Sequence, residues 1–227
     1  MAYLQWKVIC IDIPKVQLKF AQLLTSFRRL VEDASRSLFL INWKQVDKEN
    51  VVSVENFMIP EILKIHAEGF QYKNEKDIIR YSKMLKKTFY VIKSQEKPVG
   101  YCIYYIKPVL SLRHLKKKSV IHSVAIDRSL RSKGFGEKLL RESIKEMRLN
   151  GIASVLLYVN VKNLSAINLY KKIGFKIIKK VKDVCGVLET CYEMELKLAT
   201  LLASTFLQRF FSASFLDNDI IMITELI

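Results

Sequence analysis

A basic, glycine-containing hexapeptide gives this sequence its clearest chemical signal. It runs Arg131-Ser132-Lys133-Gly134-Phe135-Gly136, after an apolar run at 119–126 and before a segment of helical periodicity at 137–148. A strand, a glycine turn and a helix start in this order predict a backbone anion site. Glycines admit a phosphate closely, exposed N–H groups point at it, and the helix dipole favours negative charge there. An ordinary glycine turn with its basic side chains in solvent would produce the same pattern.

A second segment, further along the chain, helps to decide between an anion site and an ordinary turn. Residues 154–159 are apolar enough for a buried strand, and the run N-L-S-A-I-N-L-Y-K-K-I-G-F then covers 163–175. Asn163 is a candidate helix N-cap, and Gly174 has the place of a helix C-cap. The sequence therefore predicts a second strand followed by a short helix, with polar residues at the junction.

Together these segments resemble the GNAT superfamily of acetyl-CoA-dependent N-acetyltransferases. The matching residues are the S-V-A-I strand end, the R-x-x-G-x-G loop and the N-x-x-A-x-x-x-Y-x-x-x-G-F segment, in the family's order and spacing. The resemblance covers 51–197 and is most like protein N-terminal and ribosomal-protein N-acetyltransferases. It implies an α+β fold in αβα layers, with a mixed, mostly antiparallel sheet flanked by helices.

The resemblance also implies how acetyl-CoA is held as co-substrate. Backbone groups of Val124, Ala125 and Ile126 would bind its pantetheine arm, and the Val124 N–H would stabilise the oxyanion. Residues 131–136 would wrap the pyrophosphate through their N–H groups, with two basic side chains adding charge. Asn163 would bind the cofactor or fix the loop after its strand, and a role as a plain helix cap is compatible with that.

Proton transfers need further residues. Tyr170 falls where the family places a tyrosine near the thioester sulfur, so it would protonate the leaving thiolate; aromatic packing is the alternative.

At the positions where relatives often carry a base, this chain has Val120, which cannot take a proton, and Tyr158, a phenol. His122 lies two residues after Val120 and so on the same strand face, with a pKa suited to a base, although a lone strand histidine is more often a core residue. A water relay through Tyr158, or an amine that arrives deprotonated, is the other option.

The predicted activity is transfer of acetyl from acetyl-CoA to an amine by direct attack on the thioester. This route needs no covalent enzyme intermediate, so the absence of a nucleophile motif does not count against it. The acceptor most in keeping with the resemblance is a protein N-terminal amine, with lysines and small amines left open. The alternative is a non-catalytic acyl-CoA-binding sensor or scaffold whose basic face contacts RNA or protein.

Charge is concentrated in the part of the chain that carries these motifs. The formal net charge is +16, and residues 51–197 hold 29 Lys and Arg against 14 Asp and Glu, a net of +15. The basic clusters lie at 113–118, 128–138 and 171–182. Coenzyme A phosphates account for part of this excess, and the remainder could attract RNA, the ribosome or an acidic peptide. A solvated basic face is the simpler explanation.

Three parts are predicted along the chain. Residues 1–50 form an N-terminal extension packed on the domain, 51–197 the acetyltransferase-like domain, and 198–227 an apolar C-terminal helix and tail. The C-terminal helix could cover the extension or form a homodimer contact, and binding to a membrane interface is a third option. Within the domain the pattern predicts a hairpin at 88–105 and then a basic loop at 107–118.

Composition narrows the class of protein. The cysteines, Cys10, Cys102, Cys185 and Cys191, show no metal-site spacing, so unpaired thiols in a cytoplasmic protein and no metal are expected. No transmembrane span is expected either, because the most apolar stretch, 198–216, carries Gln208 and Arg209 at its centre.

Overall fold

The chain divides into two compact units, residues 1–41 and 42–227. The computed structural model describes residues 40, 42–46, 48–70, 75–110 and 115–198. The expected C-terminal helix and most of the expected N-terminal extension lie outside the described residues and stay predictions. The fold described below is that of the second unit.

Seven strands and four helices make up this unit's described residues. The strands are β1 (Val51–Ser53), β2 (Phe89–Ser94), β3 (Lys97–Leu110), β4 (Leu115–Ile126), β5 (Ile152–Asn160), β6 (Lys176–Lys182) and β7 (Thr190–Lys197). The helices are α1 (Ile59–Gly69), α2 (Glu75–Met84), α3 (Phe135–Leu149) and α4 (Leu164–Ile173). Short 3₁₀ turns cover Asn56–Met58, Lys86–Thr88 and Arg128–Leu130.

The strands form one sheet in the order β1-β2-β3-β4-β5-β7-β6. Among the described strands, β4 and β5 pair in parallel and the other neighbouring pairs are antiparallel. The Tyr101 hydroxyl contacts His66 Nδ1 of α1 at 2.5 Å, and the Tyr104 hydroxyl contacts Ser143 Oγ of α3 at 2.7 Å. Because side chains alternate along a strand, α1 and α3 cover opposite faces, with α2 beside α1 and α4 beside α3. The predicted α+β fold is confirmed.

A buried carboxylate fastens the segment before β1 to the domain. Glu146 of α3 is fully buried and accepts hydrogen bonds from Trp43 Nε1 at 2.7 Å, Tyr90 Oη at 2.8 Å and the Val46 amide at 3.2 Å. The Lys48 ammonium, itself almost fully buried, completes the set as a salt bridge. A buried charge is tolerated when it is both paired and hydrogen-bonded, as here.

Two sequence expectations differ from the structure. The basic loop predicted at 107–118 is mostly strand, because β3 and β4 continue their antiparallel pairing through Lys107↔Lys118 to Leu110↔Leu115. Backbone pairing continues there although lysine breaks the apolar pattern. The expectation of unpaired thiols is wrong for Cys185 and Cys191, which form a disulfide with their Cα atoms 6.4 Å apart. The β6–β7 hairpin brings these two residues together. Cys102 is a free, buried thiol.

Within the described ranges, no helix is long and apolar enough to cross a membrane.

Candidate active site

The parallel strands β4 and β5 separate halfway along their length. Their pairing runs from Lys117↔Ile152 to Val120↔Leu156. Beyond it β4 stays paired with β3 as far as Ile126, and β5 with β7 as far as Asn160. In the described part of the chain no strand therefore pairs with the β5-facing edge of residues 121–126. Glu195 closes the paired end by accepting from Lys118 Nζ at 3.0 Å and Ser154 Oγ at 2.7 Å.

A β-bulge lies in β4 beside this opening. Register runs from Ile103↔Ser123 directly to Tyr104↔Ile121, so His122 is the extra residue. A bulge bends its strand and re-aims the side chain there. The exposed His122 ring packs edge-on against Tyr81 of α2, with centroids 4.7 Å apart, and lies 6.4 Å from Tyr105. The structure thus brings His122 to the opening on the α1/α2 face.

The predicted anion loop has the backbone that such a site needs. Gly134 is left-handed, with φ +85°, and a Cβ there would meet nothing within 4 Å, so the space beside it is open. It is the N-cap of α3, and the first amide bonded back into the helix is that of Lys138, to Gly134 O at 3.0 Å. The first N–H groups of a helix have no intrahelical acceptor and attract an anion. The backbone of residues 131–136 therefore has a shape that can hold an anion.

Basic side chains and one further glycine shape the same loop. The exposed Arg131 donates from Nε to Ile126 O at 3.1 Å, which ties the loop to the end of β4. A Cβ on Gly136 would lie 3.3 Å from Leu169 Cδ2 of α4, so glycine allows α3 and α4 to pack closely. Together with the exposed Lys133, Arg131 adds positive charge at the helix N-terminus.

Asn163 is a helix cap. Its Oδ1 accepts from the Ala166 amide at 3.1 Å at the start of α4. The Asn163 side chain is exposed, so contact with a cofactor remains a proposal.

Tyr170 lies buried on the α3/α4 side of the sheet. Its ring packs against Phe175 with centroids 5.8 Å apart. Burial, with a smaller contribution from the nearby Cys102 thiol, raises the pKa of Tyr170 far above that of an ordinary phenol. Cys102 is the register partner of Val124. Tyr170 therefore stays protonated at neutral pH on the sheet face that also carries Cys102, which suits a proton donor.

Tyr158 borders the opening from β5 and is 38 % exposed. Partial burial, then the Glu193 carboxylate and Tyr105, raise the pKa of Tyr158. Its ionised form is therefore disfavoured at neutral pH, which makes Tyr158 unsuited to accept a proton by itself. Glu193, directly opposite on β7, is its register partner.

The opening joins two chemically different faces. A protonated phenol, Tyr170, lies on the α3/α4 side, and His122 and Tyr158 lie on the α1/α2 side together with Tyr105. Sequence reasoning missed Tyr81, Tyr105 and Glu193, because helix packing and strand register bring them to the site. His66, which is buried against Tyr101, is not part of this group. No cluster of His, Cys, Asp or Glu able to hold a metal occurs among the described residues.

Comparison with known proteins identifies the fold and chemistry. The model of the acetyltransferase (GNAT) family matches residues 58–175, more than half of the 227 residues. This chain belongs to the GNAT family. It is an acetyl-CoA-dependent N-acetyltransferase, and acetyl-CoA is its co-substrate. An N-alpha-acetyltransferase of Sulfurisphaera tokodaii is 29 % identical over 158 residues, 67 % of this chain and 89 % of the relative.

Solved structures agree on the fold of this GNAT enzyme. Ard1 from Thermoplasma volcanium superposes with a TM-score of 0.57 at 21 % identity, covering 66 % of this chain and 97 % of its own. A chain of the NatC complex bound to Gag peptide and CoA superposes with a TM-score of 0.58 at 20 % identity, covering 66 % and 100 %. At these identities the likeness shows the fold.

Gly134→Val is expected to weaken acetyl-CoA binding about tenfold or more. A β-branched residue at φ +85° costs about 1–3 kcal/mol, so the turn must change shape and its N–H groups are re-aimed. Calorimetry measures the Kd. Gly151→Val is the matched control, because Gly151 has φ +72°, equally open space, and a place at the other end of α3. Unchanged Kd in folded Gly134→Val would mean that the loop is an ordinary turn.

Proposed function

We propose that this GNAT enzyme acetylates the α-amine of protein N-termini by direct attack of the amine on acetyl-CoA. The observation that carries the proposal is the opening between β4 and β5, with a protonated phenol on one face and polar aromatic side chains on the other. Such an opening admits the two substrates from opposite sides. The relative named an N-alpha-acetyltransferase and the peptide-bound NatC structure support the choice of a peptide acceptor.

The proposed binding of acetyl-CoA uses mainly backbone. The strand end formed by Val124, Ala125 and Ile126 has an edge open toward β5, so the peptide groups on that edge would pair with the pantetheine amides, while Ile126 O also accepts from Arg131 Nε. The loop 131–136 would receive the pyrophosphate, with Asn163 at the adjoining helix start. Acetyl-CoA supplies the acetyl thioester, and these groups would fix its position beside Tyr170.

In the proposed reaction the protein contributes orientation and protons. The Val124 N–H would donate to the oxygen that becomes negative as the amine adds to the carbonyl carbon. Tyr170 would give its proton to the sulfur as the C–S bond breaks. The attacking nitrogen would lose a proton to a group on the α1/α2 face, where His122 and Tyr158 lie.

A peptide-library acetylation screen tests the acceptor. Peptides with varied first and second residues are incubated with acetyl-CoA, and tandem mass spectrometry locates the acetyl group. We expect modification at the α-nitrogen of a subset of sequences. Modification confined to lysine side chains or to added small amines would contradict the proposal.

A second proposed property is contact with RNA, including ribosomal RNA, through the edge strand β6. The four lysines of this strand, Lys176, Lys179, Lys180 and Lys182, are exposed, and no acidic residue occurs in 171–182. Edge lysines also block unwanted strand pairing, so the strand's charge has a structural explanation as well. The cytoplasmic location and homodimer contact remain predictions.

RNA binding through β6 should fall steeply between low and physiological salt, because phosphate contacts release counterions. Lys176→Gln/Lys182→Gln should weaken RNA retention in filter binding and leave the Kd for acetyl-CoA unchanged. Lys64→Gln/Lys145→Gln removes equal charge from exposed lysines of α1 and α3 and is the control. If no RNA is retained even at low salt, the proposal is contradicted and the β6 lysines only solvate the edge of the sheet.

A further inference from the structure

Three side chains form a row across β5, β7 and β6 beside the opening. Glu193 is the register partner of Tyr158 in the β5–β7 pair and of Lys179 in the β6–β7 pair. Directly opposed residues of antiparallel strands share a face, with Cβ atoms about 4.5–5.5 Å apart. The row therefore starts at the opening with Tyr158 and ends at the sheet edge with Lys179.

The carboxylate in the middle of this row is largely covered. The Glu193 side chain is 17 % exposed, and Lys179 Nζ lies 3.5 Å from its Oε2. Tyr158 lies directly opposite Glu193 in the β5–β7 register, and the Glu193 carboxylate contributes to the raised pKa of Tyr158. The phenol therefore has a carboxylate behind it and, at 38 % exposure, an oxygen accessible from the opening. A neutral phenol so placed can accept one proton while it gives up another.

We propose that Glu193 receives the amine proton through Tyr158, which makes Glu193 a positioning residue that acts through the phenol. The inference rests on the acetyl transfer proposed above. As the nitrogen–carbon bond forms, the N–H proton passes to Tyr158 Oη and the original hydroxyl proton passes to a Glu193 oxygen. The C–S bond breaks, and the thiolate takes the Tyr170 proton. Solvent then removes the proton from Glu193 and restores the one on Tyr170.

This relay resolves the difficulty that a phenol is a poor base. Tyr158 stays neutral throughout, so the cost of a tyrosinate in a partly buried site is avoided. The titratable groups that face Glu193 are Tyr158 on β5 and Lys179 on β6, and Tyr105 of β3 is near Tyr158. If Glu193 served only as the partner of Lys179, that partly exposed pair would contribute little to stability and nothing to the pH dependence of the rate.

Glu193→Gln tests the relay, because glutamine keeps the size and a hydrogen-bond acceptor but cannot take the proton. With the best acceptor peptide from the library screen, we expect kcat to fall about 10²-fold, the lower range for general acid–base catalysis. The KM for acetyl-CoA should stay unchanged, and the acid-side inflection of kcat against pH should vanish. Glu193→Asp should restore part of the rate. Adding Tyr158→Phe to Glu193→Gln should cost little more, since both remove one relay.

Two comparison variants make the result specific. Glu142→Gln removes a carboxylate from another lysine pair, in α3, and should leave kcat and its pH profile unchanged. His122→Gln should retain the acid-side inflection. The inference is overturned if Glu193→Gln keeps the wild-type profile, or if the inflection vanishes in His122→Gln instead. A wild-type enzyme that acetylates no peptide would contradict the proposed function itself, whereas an active wild type with an indifferent Glu193→Gln contradicts only the relay.

Discussion

Tyr170→Phe is expected to lower kcat by about 10²–10⁴-fold, the range that general acid–base catalysis contributes. The ring, its packing on Phe175 and the fold are retained, so only the proton is lost. Acetyl-CoA affinity should change little. Because burial raises the pKa of Tyr170, the wild-type donor stays protonated at neutral and mildly alkaline pH. The wild-type kcat should therefore show no loss from Tyr170 ionisation below about pH 10.

Steady-state kinetics with a peptide acceptor measures this effect. Tyr192→Phe is a suitable control, since Tyr192 is a β7 residue that packs beside Lys180 and is not in the active-site group. Its kcat should equal that of the wild type. Full activity in Tyr170→Phe would show that the thiolate leaves unprotonated or takes its proton elsewhere, and Tyr170 would then be only a packing residue.

Glu146→Ala is expected to destabilise the domain by about 3–5 kcal/mol, the usual cost of removing one partner of a buried ion pair. The change leaves the Lys48 ammonium buried without its counter-charge and takes the acceptor from the Trp43 indole and the Tyr90 hydroxyl. Urea unfolding, read from the midpoint and slope, measures the free energy of unfolding.

Glu142→Ala, one turn earlier in the same helix, is the control. Its carboxylate pairs with an exposed lysine, so the loss should be about 0–1 kcal/mol. If Glu146→Ala fails to fold, Glu146→Gln gives the milder version, with the amide keeping one acceptor. Equal stability of Glu146→Ala and Glu142→Ala would mean that the segment before β1 is not fastened by this carboxylate.

The parts of the site that could be predicted are those fixed by local chemistry. Gly134 is needed at a left-handed N-cap, Asn163 caps the helix after its strand, and Gly174, with φ +112°, ends that helix. Each of these three backbone features depends on a few neighbouring residues, so the residue type at the position is enough to indicate it. The order of the motifs also predicted the family, and the resemblance to that family predicted the sheet.

The parts that could not be predicted depend on register and tertiary packing. Glu193 faces Tyr158 only because β7 pairs with β5 in one register, and a shift of one residue would put it on the other face. The bulge at His122 has no marker in the sequence. In the sequence, Glu146 has the pattern of a solvent-facing helix residue. Its burial depends on contacts with Trp43 and Lys48, about 100 positions away along the chain.

The most direct test of α-amine acetylation compares two peptides that differ only at the N-terminus. One has a free α-amine and the other an N-formyl group, and both carry one internal lysine. CoA release from acetyl-CoA is followed with each. An N-terminal acetyltransferase releases CoA with the free peptide alone and leaves the acetyl group at its α-nitrogen. Equal release with both peptides would place the acceptor on lysine, and tight acetyl-CoA binding with no release on any amine would mean a non-catalytic acyl-CoA-binding protein.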